Sequence, residues 1–93
     1  MTMVTVKALG EISRIAGWEA KEVEFNGARV EDLLKSVSTA KGDSLYQVLV
    51  EEGELKGGYI LSVNGKVITS LETAINPGDR VATMEVVRLF HGG

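Results

Sequence analysis

Val30, Leu33, Leu34 and Val37 recur at i, i+3, i+4 and i+7, the clearest helical stripe in the chain. The spacing predicts one main helix from about Val30 to Ala40, ending near Gly42. Everything around it reads as strand. Before it, Met3 to Leu9 alternates, with Val4, Val6 and Ala8 on one face and Thr5 and Lys7 on the other. Gly10 ends that run, Glu11 to Ala16 fits a short helical turn closed by Gly17, and Glu19 to Phe25 forms a second strand with Val23 and Phe25 inward. Asn26-Gly27 marks the break before the helix.

After the main helix, Asp43 or Ser44 can cap a shorter one that carries Leu45, Val48 and Leu49 on one side, with Gly53 placed to stop it. Tyr59 to Val63 is the third strand. Asn64-Gly65 is a strong two-residue hairpin signal because both residues tolerate positive φ. The return strand is Lys66 to Thr69. Leu71 and Ile75 are expected to plug the core from a loop, Pro77-Gly78 suits a type II turn, and the last strand starts near Arg80. With Tyr59, Leu61, Val63 and Val67 assigned to the helix side of the sheet, Ile60 and Ile68 face away and form either a partner-binding apolar patch or a surface covered by the second-helix segment. Strands distant in sequence must pair around one helix, so the class is α+β, with a mixed sheet, one main helix packed across it and a short second helix.

A chain of 93 residues supports one modest core, and a single domain is the expectation. Ten Lys/Arg against thirteen Asp/Glu, mixed along the sequence, leave a net charge of −3. That distribution lacks the basic patch with interleaved aromatics of a nucleic-acid binder. No apolar run approaches the ~18 residues of a membrane span, and the start resembles no signal peptide, so neither nucleic acid nor membrane is an expected direct partner and the cytoplasm is the expected compartment. The absence of cysteine removes disulfides, thiolate metal sites and a cysteine nucleophile together. His91, the single histidine, cannot build a metal site alone.

The end of the chain reads Val86-Val87-Arg88-Leu89-Phe90-His91-Gly92-Gly93. A strand that runs into Gly-Gly presents backbone without Cβ atoms, able to enter a channel closed to other residues. Arg88 to Gly93 would span roughly 20 Å if extended. A carboxylate at Gly93 is a poor acyl donor until adenylation by ATP turns it into a mixed anhydride. That step needs a protruding, unhindered tail and no side chain from the carrier. Gly93 is thus the candidate reactive residue and Gly92 its access requirement. Arg88, Leu89, Phe90 and His91 are candidates for contact with a partner. Phe90 either anchors the tail in a partner groove or closes the core at the strand's end. Arg88 and His91 also read as ordinary solvated residues, and Trp18, after Gly17, as a packing lid.

Arg14-Ile15-Ala16-Gly17, Val30-Glu31-Asp32-Leu33-Leu34, Val63-Asn64-Gly65, Asn76-Pro77-Gly78-Asp79-Arg80-Val81 and the closing Gly92-Gly93 stand in an order that resembles the MoaD/ThiS family of ubiquitin-like sulfur carriers. The resemblance covers nearly the whole chain. It implies a β-grasp (ubiquitin-like) domain over residues 1–87 and an extended Gly-Gly tail over 88–93. It also implies that the Gly93 carboxylate is adenylated and converted to a thiocarboxylate, so that the chain is a carrier and not an enzyme by itself. The arrangement looks most like the MoaD branch, the small subunit of molybdopterin synthase. That branch implies two partners, an adenylating enzyme of the ubiquitin-activating (MoeB/ThiF-like) type and a large MoaE-like synthase subunit. No cofactor would be bound, ATP being used by the activating partner. The tail departs from the MoaD pattern. Glu85-Val86-Val87-Arg88 stands where a proline pair is usual, the interval from Gly78-Asp79 to the glycines is longer, and Leu89-Phe90-His91-Gly92-Gly93 looks more like Urm-type carriers of tRNA thiolation and lysine conjugation. A protein modifier and a β-grasp interaction module without terminal chemistry are therefore the competing readings. A ferredoxin of the same fold is excluded by the missing cysteine ligands.

Overall fold

The computed structural model describes residues 2–85. Strand β1 (Thr2–Ala8) leads into helix α1 (Glu11–Ala16) and strand β2 (Ala20–Phe25). Next come α2 (Val30–Ser36), α3 (Leu45–Leu49) and a small two-stranded ribbon, β3 (Val50–Glu51) with β4 (Glu54–Leu55). Strands β5 (Tyr59–Val63), β6 (Lys66–Ile68) and β7 (Arg80–Glu85) complete the fold. The main sheet has the order β2-β1-β7-β5-β6. β1 and β7 are parallel neighbours at its centre, and the other pairings are antiparallel. The two ends of the described chain thus lie side by side, joined by pairs such as Val6 with Val81 and Ala8 with Thr83.

One face of the sheet is covered by the helices. Val4, Val6 and Ala8 from β1, Val23 and Phe25 from β2, Leu61 from β5 and Val81 from β7 are buried against Val30, Leu33, Leu34 and Val37. Leu71 and Ile75 fill the remaining gap from the connection between β6 and β7, as expected. Thr83 is fully buried in this apolar layer, and its hydroxyl donates to the Lys7 carbonyl oxygen at 3.1 Å. Among the described residues no buried side-chain polar atom lacks a partner, so the core carries no uncompensated polar burial there.

The stripe is observed, but its helix is shorter than the spacing predicts. α2 ends at Ser36, and Val37 is extended (φ −97°, ψ 125°) while remaining buried. The N-terminal end is fixed by Asp32, whose carboxylate accepts from the backbone N–H groups of Ala28 and Arg29. The C-terminal end is set by competition. Ser36 donates its hydroxyl to the Asp32 carbonyl, and the loop after Val37 closes on itself through Leu45 N–H to Val37 O and Thr39 N–H to Asp43 O. Ala40 then donates to the Ala16 carbonyl at 2.7 Å. Local and tertiary bonds together outbid one more helical turn. Gly17 makes this possible: its φ is +85°, and a Cβ there would collide with the Ala40 Cβ. Trp18 closes the same junction as a lid, its indole N–H donating to Ser38 O.

Ser44 is the cap of α3, in a reciprocal pair with Gln47. Gly53 does not stop that helix. Helix α3 ends at Leu49, and Glu52 and Gly53, both at positive φ, form the turn of the β3–β4 ribbon.

The second correction concerns the hairpin. The Asn64-Gly65 turn pairs Val63 with Lys66, Ser62 with Val67 and Leu61 with Ile68. Ile68 therefore shares the face of Leu61 and packs on the core, while Val67 points away and is 60% exposed. A two-residue turn keeps directly opposed residues on one face, so the expected placing of Val67 inward and Ile68 outward is reversed. The tip of this hairpin is tied to the turn before β7. Asn64 donates its amide to Asp79 Oδ1 at 3.0 Å and accepts from the Arg80 N–H at 2.9 Å, while Asp79 Oδ2 accepts from the Asn76 N–H.

Candidate functional site

On the face of the main sheet opposite the helices, the described side chains are exposed or half-buried except Ser62, which is buried. Alternation along each strand places Thr5 and Lys7 of β1, Ile60 and Ser62 of β5, Val67 of β6, and Arg80, Ala82 and Met84 of β7 on it. The ladder register arranges them in rows. Ile60 pairs with Met84, and Leu9, which continues the alternation past β1, donates its N–H to Thr83 O and stands beside them. The next row runs Val67, Ser62, Ala82, Lys7, Ala20. Leu9 is 42% exposed and Ile60 and Met84 are half-buried, so an apolar strip crosses the sheet at one end.

That end is the one from which the chain proceeds toward the Gly-Gly pair. β7 runs from Arg80, beside Thr5, to Glu85, beside Tyr59. Its last described residue pairs with Tyr59 at the start of β5, two positions beyond Thr83, which pairs with Ala8 at the end of β1. Seven residues separate Glu85 from Gly93. Arg88, Leu89, Phe90, His91, Gly92 and Gly93 lie outside the described residues. Of the two isoleucines expected in the outward patch, Ile60 is on the face opposite the helices, and Ile68 is on the core side. Val67, Met84 and Leu9 take the place of Ile68. The two-residue Asn64-Gly65 turn carried the signal for Val67, since it sets Val67 opposite Ser62 and thereby on the face of Ile60.

Among the described residues, hollows lie at the flanks of the domain. One, of about 350 Å³, lies between the start of α2, the β3–β4 turn and the loop after β6, with Glu31, Glu54 and Glu72 on its walls. Another, of about 390 Å³, adjoins the face opposite the helices and is lined by Lys7, Leu9, Gly10, Ser13, Glu19 and Ala20 among others. Among the described residues, no group of three or more His, Asp or Glu side chains is arranged to hold a metal ion. No helix among them is long and apolar enough to cross a membrane. Lys35 belongs to the helical layer instead. Its pKa is raised, first by the hydrogen bond to Glu31 (2.9 Å) and then by that carboxylate's charge, and its ammonium sits 4.9 Å from the Tyr46 ring centre.

Comparison with known proteins agrees with this architecture. Residues 6–89 match the ThiS family. The small archaeal modifier protein 1 (SAMP1) of Methanosarcina acetivorans superposes with a TM-score of 0.73 at 27% identity, over 94% of this chain and 95% of the other. A protein of Pyrococcus furiosus described as molybdopterin converting factor, subunit 1, gives 0.71 at 26% identity, over 94% of this chain and 100% of its own. A chain of the BexX/CysO complex of Amycolatopsis orientalis gives 0.73 at 26% identity, over 91% of this chain and 97% of the other. None of the curated proteins matches the sequence.

Proposed function

Because the chain belongs to the ThiS family, we propose that it works as a sulfur carrier whose active group is the carboxylate of Gly93. The observation that carries this reading is that β7 (Arg80–Glu85), between β1 and β5 in a β-grasp sheet, is the strand that precedes Gly92-Gly93 in the sequence. A partner enzyme would adenylate Gly93: a carboxylate oxygen attacks the α-phosphorus of ATP and pyrophosphate leaves. A sulfur nucleophile then attacks the acyl carbon, AMP leaves, and the terminus carries sulfur. The domain's part is to hold the tail root rigidly and to offer a docking face. In this reading residues 88–93 are the part that enters the partner, with Arg88, Leu89, Phe90 and His91 contacting its groove and Gly92 passing its narrowest point. Ile60, joined by Val67, Met84 and Leu9, supplies the apolar contact beside the root.

Within that role we favour sulfur delivery in molybdopterin synthesis, through a MoaE-like large subunit after activation by a MoeB/ThiF-like enzyme. Likeness to the P. furiosus protein described as molybdopterin converting factor, subunit 1, supports it. The second reading is a modifier joined to lysines, supported by comparable likeness to SAMP1. Both begin with the same activated carboxylate.

ATP–pyrophosphate exchange with the adenylating enzyme of the same organism tests the shared step. Removal of Gly93 retracts the carboxylate by about 3.5 Å, out of line with the bound nucleotide, and should abolish exchange. Exchange at full rate by the shortened chain would overturn the carrier reading. Intact mass of the chain isolated from its native host then separates the branches. Replacement of one oxygen by sulfur favours the carrier, and attachment to other proteins through Gly93 favours the modifier.

A further inference from the structure

Asparagine stands at positions 26, 64 and 76, and at 26 and 64 it precedes glycine. It is a thermolabile side chain. Its carboxamide carbon can be attacked by the backbone nitrogen of the next residue, and glycine, with no Cβ, hinders that attack least. Asn76 precedes Pro77, whose nitrogen has no proton to lose. The Asn-Gly pairs are alike in sequence and unlike in the fold.

Asn64 is held through both ends of its carboxamide. Its Nδ2 donates to Asp79 Oδ1 at 3.0 Å, and its Oδ1 accepts from the Arg80 N–H at 2.9 Å. Its backbone N–H donates to Arg80 O at 2.7 Å. Ring closure onto Gly65 has to break both side-chain bonds. Asn26 is exposed, and no hydrogen bond among the described residues holds its carboxamide or the Gly27 N–H. The fold also requires the glycine there. Gly27 has φ +152°, and a Cβ on it would collide with the Asp32 side chain.

We propose that Asn26-Gly27 is a self-modification site, at which the chain converts to isoaspartate and loosens the entrance to α2, while the bridge to Asp79 and Arg80 protects Asn64-Gly65. The Gly27 nitrogen loses its proton and attacks Asn26 Cγ. A C–N bond forms, and the side-chain nitrogen takes up a proton and leaves as ammonia. Water then opens the resulting succinimide. Addition at Cγ gives aspartate. Addition at the backbone carbonyl carbon breaks its bond to the Gly27 nitrogen and reroutes the main chain through the side chain as isoaspartate. That product adds a methylene to the backbone between Phe25 and Val30, both buried, in the segment whose N–H groups Asp32 caps. The site adjoins the Thr2–Phe25 pair, at the opposite end of the sheet from Glu85. The modification thus bears on stability, and the inference does not depend on the carrier reading.

The test incubates the full chain in mildly alkaline buffer, folded and in urea. Conversion is followed by peptide mapping with mass spectrometry and by methyl labelling with a protein isoaspartyl methyltransferase. In urea both pairs should convert at similar rates. In the folded chain Asn26 should convert about tenfold or more faster than Asn64, whose two side-chain hydrogen bonds must break first. Asp79→Ala removes one of those bonds and should speed conversion at Asn64 and not at Asn26. The converted chain should unfold at lower urea concentration than fresh chain, whereas Asn26→Gln, which would need a larger ring, should keep its midpoint through the same incubation. Absence of isoaspartate at Asn26 in the folded chain, or conversion of Asn64 as fast as Asn26, would overturn the proposal. So would conversion of Asn26 with no shift in the unfolding midpoint.

Discussion

Gly17 and Asn64 show how single residues hold this fold. At Gly17 the backbone is left-handed and the missing Cβ is the space that Ala40 occupies. Gly17→Ala should therefore destabilise the domain by about 2 kcal/mol or more, from strained φ and displacement of the Ala40 loop together, as read by urea denaturation. Asn64 is also left-handed (φ +53°), but its side chain works as well, bridging the hairpin to Asp79 and Arg80. Glycine at 64 would keep the turn and lose the bridge. Asn64→Gly should cost about 1 kcal/mol, and Asn64→Ala more, because alanine loses the bridge and resists the turn. Equal losses for the two variants would mean that the turn conformation carries no weight. Leu34, fully buried beneath the sheet, gives the largest expected effect: Leu34→Ala should cost roughly 2–5 kcal/mol.

At the scale of elements, the apolar stripe of α2 identified its inward face correctly but not its length. Periodicity reports which side chains are buried, and Val37 is buried whether helical or extended. The end of the helix depends on bonds to Ala16 and within the 37–45 loop, which no local pattern encodes. The β3–β4 ribbon was illegible for another reason: strands of two residues are too short to alternate. The exchange of Val67 and Ile68 was legible in principle, since turn length alone decides it. The candidate site divides the same way. The Gly-Gly ending announces itself as a motif, whereas Leu9, Lys7, Val67 and Met84 become neighbours only when the parallel β1–β7 pairing and the β5–β6 register are known. The exposed pair between Glu31 and Lys35 offers a check on the helical layer. A raised lysine pKa means that the folded state holds this proton more tightly. The contribution is complete below the ordinary value of 10.5 and disappears as pH climbs through the higher folded value. Stability difference between the parent and Lys35→Met should thus be flat from neutrality to about pH 10 and shrink as pH climbs past 10.5, in paired urea titrations. Lasting difference at the alkaline end would show that the lysine acts through its stem on Tyr46 and not through its charge.

For the molecule as a whole, stability and the proposed chemistry are separable. Gly92 and Gly93 bring no side chain to a core, so removal of Gly93, or Gly92→Ala, should leave the melting temperature unchanged while altering activation. The placement of β7 has a mechanical consequence. A partner that grips the tail and draws it inward loads β7 along its length, with β1 on one side and β5 on the other. Such a pull shears two ladders at once, so that their hydrogen bonds resist together and do not open one by one from an end. The domain is built as a handle, with a strand held on both sides in line with the force.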